Sequence, residues 1–309
     1  MTHSESATSF ARNPDEATLV TSDLPNFWRA MDRAEPGQLA AALERYYFGP
    51  ASPGLFAFID KRIESADLLA AAVEQHRDHY DGLRAITERI DKACGAMRQV
   101  YGRMADLYDD ALFPDTYLLI GRLTCGGTIC EHGSLVGLEL FAGSDVQDDR
   151  AFHESGHHPP MSIASLPLML AHELVHFQQR LVRRELRGEV DESEHTLLAC
   201  VLCEGVAEFV GELISGGHVN GHIHAWAAPR ERELWQRFRE QMHSQELADW
   251  LYNRRHVKDQ PGDLGYYIGY RIAQAYYNLA SDKRTAVAGL LEVDDPGEIL
   301  EASGYGSRW

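Results

Sequence analysis

The chain has 309 residues, with 29 Lys+Arg against 47 Asp+Glu and a formal net charge of −18. That length is ample for a large core, while the acidic balance argues against nucleic acid and against an anionic membrane surface as partners, since both are bound through basic patches. No stretch approaches the ~18 uninterrupted apolar residues of a membrane span, the polar first 20 residues carry no export signal, and five widely spread cysteines do not make a disulfide framework, so a cytoplasmic protein is expected.

Residues 1–21 are rich in Ser, Thr, Asn and Asp and are expected to be disordered. Residues 22–112 read as a helical N-terminal lobe. Leu39, Leu43 and Tyr46 form a short stripe, residues 49–54 (Gly-Pro-Ala-Ser-Pro-Gly) break it, and Leu83, Ile86, Ile90, Met97, Tyr101 and Met104 mark a long amphipathic helix. This lobe carries no chemistry of its own, and Trp28, Tyr46, Tyr47 and Phe48 are assigned to its core.

The character changes at Phe113-Pro114, and residues 113–309 are expected to form the catalytic region, continuous with the lobe. Residues 116–123 and 135–141 are strand-like, and the turn-rich stretch between them, with Gly126-Gly127 and Gly133, predicts a β-hairpin or meander. The glycines mark either a plain turn or a place where another backbone, such as a peptide on the sheet edge, comes close. Residues 144–160 read as a polar loop. The His153-Glu-Ser-Gly-His157 match within it is discounted, because Gly156 and Pro159-Pro160 oppose a helix.

The informative stretch is His172-Glu173-Leu174-Val175-His176, an HExxH match inside a segment with Pro167 in its first turn, Ser165 as candidate cap, and Leu170, Leu174, Phe177 and Leu181 at helical spacing. Positions i and i+4 of a helix lie about 40° apart, so both imidazoles project from one face and can hold one metal ion. Glu173, about 100° round from His172, suits a general base.

Two histidines need a third protein ligand, with the fourth position open to water. Gln179 and Val182 occupy the places where a metzincin would continue. On residues 197–213, Glu204, Glu208 and Glu212 share a side with Leu197, Cys200, Val201 and Gly211, so that side is expected to be covered, and covered carboxylates require a cation or hydrogen bonds. Glu204 is assigned as the third ligand and Glu208, one turn on, as the acceptor for a ligand histidine's distal N–H; the two roles can be exchanged. His195, His218, His222 and His224 are alternative ligands, with His222 and His224 expected in a loop. Cys200 and Cys203 are read as small apolar helix residues.

His172-Glu-x-x-His176 followed by Glu204-Gly-Val-Ala-Glu208 resembles the gluzincin zinc peptidases, although the 27 residues between His176 and Glu204 exceed the spacing of the aminopeptidase and thermolysin-like branches. More broadly, residues 113–305 are similar to an uncharacterised family of predicted zinc-dependent bacterial proteases. The resemblance implies a mainly helical α+β fold with a thermolysin-like (gluzincin) core, a small β-sheet and the helical lobe, binding Zn2+ and cleaving a peptide or small amide. It also implies a donor for the oxyanion. Residues 263–277 read as a helix on which Gly265 and Gly269 permit close approach of a neighbour, and Tyr270 or Tyr267 is the expected donor, with Arg271 binding a substrate carboxylate. Two other classes stay open: a non-haem Fe2+ oxygenase, which also uses two histidines and a carboxylate, and a binding protein stabilised by a structural metal. Substrate specificity and oligomeric state are not legible.

Overall fold

The computed structural model describes residues 10–141, 161–191, 193, 195–254 and 256–308. The discounted His153–His157 match lies outside them. The fold is mainly helical with a small mixed sheet. The N-terminal half contributes β1 (Leu19–Val20), α1 (Asp23–Arg33), α2 (Leu39–Leu43), α3 (Pro53–Phe58), α4 (Ala66–Gln75), α5 (Arg77–Thr87) and α6 (Ile90–Leu107). Ser52 and Ser65 cap α3 and α4 by accepting the N–H of Leu55 and Leu68.

Strands β2 (Asp115–Leu119), β3 (Gly127–Cys130) and β4 (Gly133–Gly137) join β1 in the order β1-β2-β4-β3. The first two neighbouring pairs are parallel, and β3–β4 is an antiparallel hairpin. The strand-like stretches at 116–123 and 135–141 therefore lie side by side in parallel, with part of the glycine-rich connection forming β3. Each strand is shorter than expected. After Gly137 the chain turns into a single 3-10 turn, and the buried Glu139 carboxylate accepts the N–H of Gly121 and Leu123 beyond the end of β2.

Residues 10–21, expected within a disordered segment, are built into the fold: Leu19 and Val20 pair with Thr116 and Tyr117. A two-residue edge strand is too short to show a period. Both faces of β2 are covered. The Thr116 hydroxyl lies 2.5 Å from that of Tyr101 on α6, while Tyr117 packs where a Cβ on Gly54 of α3 would sit, so β2 and β4 are buried almost along their whole length rather than on one face.

The C-terminal half adds α7 (Leu166–Gln178), α8 (Arg180–Leu186), α9 (Leu197–Ser215), α10 (Gly221–Ala227), α11 (Glu231–Gln241), α12 (Leu264–Leu279), α13 (Lys283–Leu291) and α14 (Pro296–Ala302). Ser165 makes no capping bond at α7; Ser162 instead caps the short turn ahead of it. Helix α7 lies between the sheet and α9, and α9 is clasped by α12. A single apolar cluster runs through both halves. No helix among the described residues is long and apolar enough to cross a membrane.

Helices α9 and α12 meet at Gly205 and Gly269. A Cβ on Gly205 would stand 2.0 Å from the Gly269 carbonyl carbon, and one on Gly269 would stand 1.9 Å from the Val201 oxygen. No side chain fits between the two backbones. Gly269→Ala is therefore expected to cost about 3 kcal/mol of unfolding free energy, measured by urea denaturation; a midpoint unchanged from wild type would show that the helices separate at little cost.

Burial, the largest influence, raises the Glu139 carboxyl to about 7 against the opposing hydrogen bonds from Gly121 and Leu123. Because the folded state then binds this proton more tightly than the unfolded chain, its contribution to stability is full below about pH 4.5 and is lost as pH rises to about 7. Glu139→Gln is expected to gain on wild type, by on the order of 3 kcal/mol, between pH 4.5 and 8. Parallel pH dependences of the two unfolding free energies would contradict this.

Candidate metal centre

Helix α7 delivers His172 and His176 one turn apart, and α9 delivers Glu204 opposite them. His172 Nε2 and His176 Nε2 are 3.1 Å apart, and Glu204 Oε2 lies 3.3 Å from the first and 3.2 Å from the second. Donors about 2.0–2.1 Å from a tetrahedral zinc stand about 3.3 Å from one another, so the three atoms already form one face of such a coordination sphere. His172 and Glu204 are buried, and Glu204 Oε2 has no hydrogen bond of acceptable geometry among the described residues. A buried oxygen of this kind calls for a cation. Burial pushes Glu204 up, but the two imidazoles outweigh it and hold the carboxyl well below the usual range.

The ring of His176 has its tautomer set from behind. Gln179 Nε2 donates to the Cys203 carbonyl at 2.7 Å, which fixes the amide so that its Oε1 faces His176 Nδ1 at 2.8 Å. Nδ1 must then carry a proton, so in the neutral ring it is the Nε2 lone pair that faces the cluster. On the other histidine, Nδ1 lies 3.7 Å from Glu208 Oε1, and Asn220 Nδ2 donates to that same oxygen at 2.5 Å. The Tyr266 ring stacks on His172 at 5.9 Å with 20° between planes.

Glu173 is buried beside the triad and lies against β3, where a Cβ on Gly127 would fall 2.4 Å from its Oε1. Glycine at that position lets the carboxylate reach the strand. Burial raises the Glu173 carboxyl above its ordinary value, with the imidazoles of His172 and His176 opposing. Strand β3 pairs only with β4, so among the described residues its outer edge has no partner strand.

The two expected oxyanion donors sit elsewhere. Tyr270 donates to Glu212 Oε2 at 2.6 Å and Tyr267 to Glu231 Oε2 at 3.0 Å, and Arg271 pairs with Glu231 at 3.0 Å. Among the described residues, a hydroxyl reaches the triad from Tyr252, which donates to Glu204 Oε1 at 3.0 Å from a loop, with its side chain largely exposed and φ +57°. No sequence period marks Tyr252; only its backbone conformation and its reach identify it. In the sequence Gln179 stands only as a departure from the metzincin pattern; a polar residue three after His176 is the signal that could have found its role. His195 pairs with Glu185 at 2.9 Å, whereas His218 and His224 gather at Glu208. His222 and His224, expected in a loop, lie on α10.

The donor set fits a zinc ion held by His172, His176 and Glu204. Gln179→Leu removes the bond that orients His176 and is expected to weaken zinc binding about 10- to 100-fold, read by competition with a chromophoric chelator. Wild-type affinity would show that the ring is held by packing alone.

No curated protein and no solved structure matches the chain. Over residues 152–296, the segment that supplies every residue of the triad together with Glu173, Glu208 and Tyr252, the chain matches the model of the family described as Predicted Zn-dependent protease (DUF2268).

Proposed function

We propose that the protein is a zinc-dependent hydrolase of peptide or related amide bonds, with a gluzincin-like core in which α7 and α9 carry the metal ligands and β3 receives the substrate. The observation that carries this reading is the triangle of His172 Nε2, His176 Nε2 and Glu204 Oε2, with edges of 3.1–3.3 Å, flanked by a buried carboxylate that is not one of its corners. A bound zinc ion would supply Lewis acidity, lowering the pKa of water toward ~7 and polarising the scissile carbonyl.

The chain's own residues do the rest. Glu173, its basicity raised by burial, takes the proton of the attacking water and returns it to the leaving amine. The outer edge of β3, which has no partner strand among the described residues, binds an extended peptide by main-chain hydrogen bonds, which places a carbonyl over Glu173 because Gly127 brings strand and carboxylate together. Tyr252 exchanges its bond to Glu204 for one to the developing oxyanion, and its exposed loop position permits that movement.

Glu173→Gln should retain zinc and lose about 10²- to 10⁴-fold in kcat on fluorogenic peptides, and Tyr252→Phe should lose about 10²- to 10³-fold in kcat with little change in KM. A Glu173→Gln protein as active as wild type would falsify the general-base assignment. Protein purified without added metal should contain zinc; iron together with oxygen uptake would favour the oxygenase reading instead.

A further inference from the structure

Beyond the triad, a second set of metal-ligating side chains converges on the opposite side of Glu208. We propose that Glu208, His218 and His224 form a second site for a divalent transition-metal ion such as zinc. One donor atom from each lies within 4.8 Å of the other two. Glu208 is 2 % exposed, and its Oε2, His224 Nε2 and His218 Nδ1 are all buried without a hydrogen-bond partner among the described residues. Three buried polar atoms gathered together without a hydrogen bond of acceptable geometry are costly unless a cation joins them.

The surroundings hold these groups in place. Asn220 Nδ2 occupies Glu208 Oε1, which turns Oε2 toward His224 Nε2 at 3.6 Å. His218 Nε2 faces Glu212 at 3.4 Å, which leaves its Nδ1 as the ligand atom. The two imidazoles stack at 4.2 Å with 20° between planes, so shared coordination requires one ring to turn about χ2. The edges around them come from Tyr270, 4.6 Å from His224 and 5.3 Å from His218, and from Tyr267, 5.5 Å from His224. Walling this cluster is what these two tyrosine rings do. A carboxylate and two imidazoles are a donor set suited to zinc.

The His172 ring and the Glu208 carboxylate stand between the two sites. Ions that share a water in two-metal hydrolases lie about 3.5–4 Å apart, so this ion ties α10 and its preceding loop to α9 and takes no part in bond cleavage. The proposal stands without the hydrolase reading: an inert protein binding two ions keeps it, and an active protein binding one ends it.

Full-length protein stripped with a chelator is titrated with Zn2+ by calorimetry, and bound zinc is counted after gel filtration. Wild type should bind two equivalents. His218→Ala/His224→Ala should bind one, as should His172→Ala/His176→Ala, and His224→Phe, which keeps a ring between the tyrosines, should lose the same equivalent as the first of these. Zinc-edge anomalous diffraction from wild-type crystals should place a peak between Glu208 and His224. A single equivalent in wild type, two equivalents in His224→Phe, or an anomalous peak at the triad alone would overturn the proposal.

Discussion

Three carboxylates drawn out of water set the terms for this structure. Glu173, Glu204 and Glu208 are at most 8 % exposed, and among the described residues no Lys or Arg forms an ion pair with any of them. Their charged neighbours are imidazoles, which neutralise them only when protonated. An imidazole that acts as a metal ligand offers a lone pair and carries no charge, so a bound cation would then supply the balancing charge. Metal affinity and folding free energy are then linked quantities, because the unfolded chain does not assemble the three donors.

Holding the carboxylates in register with the histidines is a packing problem, and the glycine crossing solves it. With Gly205 and Gly269 in backbone contact, α12 has one available rotation against α9. In that rotation Tyr266 lies flat on His172, while Tyr267 and Tyr270 face α10 and Glu212. Gly265 tightens the same contact, since a Cβ there would press on Val201, Leu251 and the Trp250 oxygen, and its own N–H donates to that oxygen at 2.9 Å. The loop bearing Tyr252 is thereby seated on the helix pair that carries Glu204.

This explains what the sequence revealed and what it withheld. His172 and His176 were readable because an i, i+4 pair shares a helix face whatever surrounds the helix. Glu204 was readable because apolar residues on its own side of α9 implied a covered carboxylate. The tyrosines of α12 were not separable, because the five of them are spread around the helix and only a backbone contact with another helix decides which side meets the metal centre. Tyr252 and the Leu19–Val20 strand depend wholly on long-range contacts, as does the parallel pairing of β2 with β4, beyond which Glu139 turns inward to bind the backbone after β2. Each of these is a tertiary choice among local options of similar energy.

The hydrogen bonds around Glu208 carry the argument one step further. Asn220 accepts from Arg254 Nη2 at 2.8 Å through the amide whose nitrogen holds Glu208. Arg254 in turn pairs with Asp263, whose carboxylate also accepts the N–H of Asn253 at 3.0 Å while its own N–H donates to Asn253 Oδ1 at 2.8 Å. Tyr252 is the next residue back, between buried Leu251 and buried Asn253. Polar contacts thus run from the carboxylate behind His172 to Asn253, the chain neighbour of the tyrosine whose hydroxyl meets Glu204. Glu208 faces the His172 imidazole on one side and the His224 ring on the other, and Asn220 and Arg254 connect it to the base of the Tyr252 loop. The loop bearing Tyr252 is therefore tied, through Asp263, Arg254 and Asn220, to the carboxylate that lies 3.7 Å from His172 Nδ1.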